Sequence, residues 1–171
     1  YYLPGVGPRD YEVNDRVELT VNALSSPDSL LPYDFYNSQF DFCIPEGGPK
    51  PRGESLGSVL FGDRLYGSAF ELSVGVNSTC NVLCKRTVSK YNAKFINKRI
   101  KESYTMNWFV DGLPVAQAAI DRKTKQAFFN IGFALGIVEN NKPPALHNHY
   151  DIQIQYHTND DVHFRVVGVL V

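Results

Sequence analysis

The chain lacks any apolar run approaching the roughly 18–20 residues that cross a bilayer, and its mean hydropathy is −0.24. It reads as a soluble segment. It also lacks a basic surplus, with 17 Lys and Arg against 18 Asp and Glu, for a net charge of −1. Neutralising phosphates needs such a surplus, so nucleic acid is not an expected partner. No charged n-region followed by an apolar h-region opens the sequence, so no signal peptide is visible. Tyr1 reads equally as a mature terminus or as an arbitrary start. There is no internal repeat and no linker long enough to divide the chain. Its 171 residues fit one domain, and folding at that size hides roughly 70% of the unfolded surface. Cysteine is scarce and odd in number, with Cys43, Cys80 and Cys84 only.

What is present is mostly β pattern. From Asp15 to Leu24, Val17, Leu19, Val21 and Ala23 alternate with Glu18, Thr20 and Asn22, which predicts one half-buried strand. Leu31–Phe42 is aromatic-rich and reads as extended. Residues 45–53 (PEGGPKPRG) read as a loop, because proline cannot donate to a ladder. Further strands are expected at Leu56–Phe61, Ala69–Val76, Tyr104–Val110, Val115–Ile120, Ala127–Val138, Tyr150–Tyr156 and Phe164–Val171. Ser89 offers an N-cap. After it, Tyr91, Phe95, Ile96 and Ile100 recur at helical spacing, with Lys90, Lys94, Lys98 and Lys101 on the other faces. This predicts an amphipathic helix of about four turns, near 89–103. The expected fold is mainly β: an antiparallel, jelly-roll-like β-sandwich carrying one helix.

Pairing Tyr156 with Phe164 keeps the apolar faces of the last two strands together. It leaves a loop at Thr158–Val162 and sets His157 opposite His163 on the solvent face. Two facing imidazoliums repel, so His157 and His163 form a candidate pH-responsive pair.

Asn77-Ser78-Thr79 is the single N-x-[S/T] sequon, on a strand-to-helix connection suited to a glycan. In an oxidising compartment one disulfide forms among Cys43, Cys80 and Cys84, and the sequence does not choose which. A zinc reading of Cys80 and Cys84 lacks a second ligand pair. His147, His149, His157 and His163 read as solvated loop and strand-edge residues, with a loose metal site on His147, His149 and Asp151 as the alternative. Gly53-Glu54-Ser55-Leu56-Gly57 matches a nucleophile elbow, but a loop precedes it and a strand follows, the reverse of what exposes the serine. The lysines of the helix read as its solvated side, and Trp108 as core. No catalytic residue, metal ligand or cofactor site is expected, and the chain is not expected to be an enzyme.

Several ordered blocks resemble the luminal region of the nonaspanins, the transmembrane-nine superfamily. These are Tyr2-Leu3-Pro4-Gly5 with Pro8, Leu31-Pro32-Tyr33-Asp34-Phe35-Tyr36 before Phe42-Cys43, and Gly53-Glu54 with Leu60, Gly62-Asp63-Arg64 and Ser68. Cys80 with Leu83-Cys84, Asn107-Trp108 with Asp111 and Leu113-Pro114-Val115-Ala116, and Val167-Gly168 continue the series. Gly132-Phe133 and Gly136 match a GFPVG element in part, with Ala134 and Leu135 replacing its Pro-Val. The resemblance implies a single luminal or extracellular domain over 1–171, within a nine-span protein of the Golgi and endosomes linked to membrane-protein sorting. A cleaved signal would precede it and the membrane spans would follow it. The implied partners are membrane-protein cargo or the protein's own transmembrane domain, and an N-glycan on Asn77, with no membrane insertion by this segment itself. The alternative is a secreted or luminal glycan-binding module, with Tyr1, Tyr2, Tyr11, Tyr33 and Tyr36 stacking on sugars.

Overall fold

Alternation along residues 16–21 seals one face completely: Val17, Leu19 and Val21 are at most 1% exposed. The computed structural model describes residues 7, 9–52, 64–121 and 123–171. The strand expected at Leu56–Phe61, together with Ser55, Tyr1, Tyr2, the Tyr2–Gly5 block, Pro8 and the block from Gly53 to Asp63, lies outside the described residues. The first half contains β1 (Asp10–Tyr11), β2 (Arg16–Val17), β3 (Leu19–Val21), β4 (Leu24–Ser26), β5 (Ser29–Tyr33), β6 (Tyr66–Gly67) and β7 (Leu72–Ser73). Helix α1 (Lys90–Lys101) follows, then β8 (Thr105–Met106), β9 (Trp108–Val110), β10 (Leu113–Pro114), β11 (Ala116–Ile120) and β12 (Ala127–Ile131). The chain closes with β13 (Phe133–Ala134), β14 (Gly136–Ile137), β15 (Ala145–Leu146), β16 (Gln153–Thr158) and β17 (Phe164–Leu170).

Four expected strands are broken; that over Tyr104–Val110 divides at Asn107 into β8 and β9, which join different sheets. The strand over Asp15–Leu24 is divided into β2, β3 and β4. At the second break Asn22 is buried, and its Oδ1 accepts from the N–H groups of Ala23 (2.7 Å) and Arg64 (2.9 Å). The strand over Ala127–Val138 becomes β12, β13 and β14. It turns at Gly132, whose φ of +76° and 2.7 Å approach of a Cβ to Asn107 Oδ1 exclude a side chain. Of Ala69–Val76 only β7 is strand. Val74 is buried, but Gly75 at φ +71° redirects the chain and leaves Val76 exposed. The extended run expected to Phe42 ends at Tyr33 and continues as turns.

β17 anchors the first sheet, with β16 along one edge and β1 and β11 on the other, and β12 beyond β11. The β11–β17 link, Ala116 to Leu170, is parallel, and every other described pairing is antiparallel. The second sheet runs β10-β9-β3-β6 and the third β13-β8-β4-β5, with two-stranded ribbons β14-β15 and β2-β7. β9 and β10 join through Asp111 (φ +50°) and Gly112 (φ +74°). Two central residues with positive φ make the type I′ turn that matches strand twist. All three sheets and α1 contribute to one buried cluster, which includes Val166, Val21, Met106 and Ile96. The fold is a mainly β, sandwich-like packing of antiparallel sheets, with one helix among the described residues.

Ser89 caps α1, its Oγ accepting from Asn92 N–H at 3.1 Å. Ser103 at φ +57° donates its N–H to Ile100 O and ends the helix. Ile96 and Ile100 are buried as expected, whereas Tyr91 is 71% exposed, contrary to the apolar face read from spacing. Arg99 is buried instead. Its guanidinium lies over the rings of Phe95 (5.0 Å), Tyr33 (5.3 Å) and Tyr104 (5.7 Å), donates to Tyr33 Oη at 2.6 Å and pairs with Glu102 at 3.2 Å. Trp108 packs against Phe35, Phe70, Phe133 and Tyr150 with centroids 4.6–6.3 Å apart. Trp108→Ala is expected to lose about 3–5 kcal/mol in denaturant unfolding. Tyr91→Ala is expected to change stability by less than about 0.5 kcal/mol.

Candidate functional site

Residues 77–89 form no regular structure and are exposed throughout. A disulfide between Cys43 and Cys84, Cα atoms 5.8 Å apart, pins this segment to the loop that follows β5. Cys80 remains a free, exposed thiol with φ +56°. Asn77 is exposed at the start of the segment, and Ser78 Oγ accepts from Asn81 Nδ2 at 2.6 Å. The sequon thus sits on accessible, irregular chain held at one point covalently, the presentation that glycan transfer requires.

The β16–β17 turn forms a second polar locus, a shallow concavity of about 200 Å³ lined by Asp10, His157, Asn159, Asp160, His163 and Arg165. The register differs from the expected one by two residues. Tyr156 pairs with Val166, His157 with Arg165 and Thr158 with Phe164. His157 and His163 therefore line one concavity without facing each other across the ladder. The cause is Asp160, whose Oδ1 accepts from the N–H groups of Val162 (3.1 Å) and His163 (2.7 Å), closing the loop one residue later. A shift of two preserves the faces, so Tyr156 and Val166 still point inward. The His163 ring meets Asp160 Oδ2 at 2.6 Å, which holds His163 above its ordinary 6.5. The ring bond and the two backbone bonds hold Asp160 well below the usual carboxylate range. Arg165 pairs with Asp10 at 2.8 Å and fastens β1 to β17.

The remaining candidates are dispersed. The His147 ring meets Ala134 O at 3.0 Å, and His149 lies 3.6 Å from Asp151. Among the described residues no group of three His, Cys, Asp or Glu side chains is placed to hold a metal ion. Tyr11 is 4% exposed and donates to Asp111 at 2.9 Å; burial and that bond push its hydroxyl up. Tyr36 donates to Gly67 O, and burial raises it to about 12. Tyr33 packs on Phe40, Phe95 and Tyr104. Lys90, Lys94, Lys98 and Lys101 are exposed on α1. Sequence reading missed two features: buried Arg99, and the exposure of Phe128, Phe129, Ile120 and Ile131 on β11 and β12. Charge hid the first. The second follows only from topology, since an apolar strand gives no sign of whether its face is covered.

These features define a mainly β, disulfide-bonded domain with an accessible sequon. The chain belongs to the Endomembrane protein 70 family, whose model matches residues 32–171, as the resemblance to the nonaspanins implied. It is 36% identical over 222 aligned residues to transmembrane 9 superfamily member 1 of Saccharomyces cerevisiae, covering 100% of this chain and 33% of that protein. It is 32% identical over 188 residues to transmembrane 9 superfamily member 2 of Homo sapiens, covering 92% of this chain and 28% of that protein. The chain spans about a third of the length of the curated relatives it matches. Those relatives are named as transmembrane proteins, and no solved structure matches. Among the described residues no helix is long and apolar enough to cross a membrane.

The Asp160–His163 contact has a defined pH window. A raised histidine adds stability that is full below the unfolded value of about 6.5 and is lost as pH rises through the folded one. A lowered aspartate adds stability that is present above about 3.9 and is lost on acidification. NMR titration should place the His163 midpoint above 6.5, and Asp160→Asn should return it toward that value.

Proposed function

We propose that the chain is the luminal, non-catalytic domain of a multi-span Golgi and endosomal membrane protein that takes part in sorting and delivering other membrane proteins. Its partners are cargo membrane proteins or the protein's own transmembrane domain, with an N-glycan on Asn77. The observation that carries this reading is the Cys43–Cys84 disulfide beside the exposed sequon. Disulfides persist in oxidising compartments, and N-glycans are added on the luminal side. Membership in a family of proteins named as transmembrane supports attachment to a membrane. The glycan-binding alternative needs exposed tyrosines around a groove, and Tyr11, Tyr33 and Tyr36 are instead held by core contacts.

Expression through the secretory pathway should give a glycosidase-sensitive mass shift that Asn77→Gln abolishes. Thiol alkylation of the native protein should label Cys80 and leave Cys43 and Cys84 protected until reduction. No mass shift, together with three labelled thiols in the folded protein, would overturn the luminal assignment.

A further inference from the structure

The β11–β12 hairpin is built unlike the rest of the molecule. Its register puts Ala116 beside Ile131, Ala118 beside Phe129 and Ile120 beside Ala127. Directly opposed residues share a face, so one face of the hairpin carries those six apolar side chains and nothing else. That face is open: Ile120 is 68%, Phe129 62% and Ile131 71% exposed. Phe128, on the opposite face, is 44% exposed. Among the described residues β12 pairs only with β11. It holds neither the proline nor the charge that ordinarily protects a sheet edge. The tip is basic. Lys123 and Lys125 stand against Asp121 alone among its described residues. Asp121 Oδ1 is engaged by the N–H groups of Lys123 (2.6 Å) and Thr124 (2.9 Å).

We propose that the outer face of this hairpin is a membrane-contact surface that lies in the headgroup boundary of a bilayer containing anionic lipid. Apolar side chains reach the acyl boundary while the tip cations stay at the phosphates, the division that interfacial elements use. The contact is peripheral and needs no span. A second strand on the β12 edge would pair its backbone but leave the Phe129 face uncovered, whereas a bilayer boundary covers that face. Lys123 and Lys125 complement anionic headgroups. The inference rests on the proposed function in setting the chain beside the luminal leaflet, so the anionic lipid it requires is one exposed on that leaflet, not the phosphatidylserine of the cytoplasmic side.

The test is co-sedimentation of the folded, disulfide-bonded 171-residue chain with two kinds of vesicle: pure phosphatidylcholine, and phosphatidylcholine with roughly one-third phosphatidylserine, used only as a source of anionic headgroups. Binding is expected to the anionic vesicles. It should fall by roughly thirty-fold in Lys123→Gln/Lys125→Gln, and at least about tenfold in Phe129→Gln/Ile131→Gln. These positions are exposed, and the two pairs test charge and apolar contact independently. Absence of wild-type binding, or binding unchanged in both variants, overturns the proposal. So does a dimer in size exclusion that Phe129→Gln/Ile131→Gln dissolves without either vesicle having bound, which makes a second copy the occupant. A glycosylated, disulfide-bonded chain that ignores vesicles removes this inference and leaves the luminal assignment standing. An unglycosylated, fully reduced chain that binds them does the opposite.

Discussion

Trp108 is the side chain on which the rest of the packing depends. It sits on β9, paired on both edges, and its ring meets Phe35, Phe70, Phe133 and Tyr150, which come from four separate parts of the sequence. Many of the strands are only two or three residues long. A ladder that short contributes few hydrogen bonds, and isolated two-stranded pieces are marginal in water. The sheets are held in place by the side chains between them, and Trp108 is among the largest of those fully buried. Its indole N–H has no acceptor among the described residues, so the ring is held by packing and by edge-to-face contacts.

Two other constraints position what Trp108 does not reach. Arg99 turns the helix–core contact into a charged one, with its cation over three rings, bonded to Tyr33 and paired with Glu102. A buried guanidinium left without such partners would be costly, so this box fixes the rotation of α1. The Cys43–Cys84 disulfide fixes the segment ahead of the helix. That segment is exposed from Asn77 to Ser89 and has no ladder of its own. Covalent closure supplies the order that burial does not.

Where the local signal and the tertiary answer coincide, the fold was legible. Ser89 caps α1 as read, and Met106, Trp108 and Val110 lie fully inside, as their period of two predicts. Where a single side chain overrides the pattern, it was not. Asn22 breaks a strand because of a partner far away in sequence, Arg64, and Gly132 because it turns at φ +76° where a Cβ would run into Asn107. Asp160 moves the β16–β17 loop by capturing two N–H groups that apolar alternation does not consider. Tyr91 fits a helical stripe by spacing, but the core ends before reaching it. The candidate site was legible only in part. The sequon and its neighbouring cysteines are visible in the sequence, whereas the choice of Cys84 over Cys80 as partner for Cys43 is a fact of geometry.

The first sheet shows why its outer surface cannot be explained by the needs of the core. On β16 and β17, Ile154, Tyr156, Val166 and Val169 turn inward, while Gln153, Gln155, His157 and Arg165 are exposed, as is Val167 at 52%. That is the ordinary division for a sheet with one wet face. Ala116 adjoins Leu170 in register, so β11 and β12 extend the same sheet. There the division fails: Ile120, Phe129 and Ile131 are exposed and have no buried counterpart to replace. Exposed phenylalanine and isoleucine gain nothing from folding, and on an unprotected edge strand they invite aggregation. An outer surface mostly polar over two strands and apolar over the next two is what a contact outside this core requires. The cations at the end of the apolar half indicate the chemistry of what covers it.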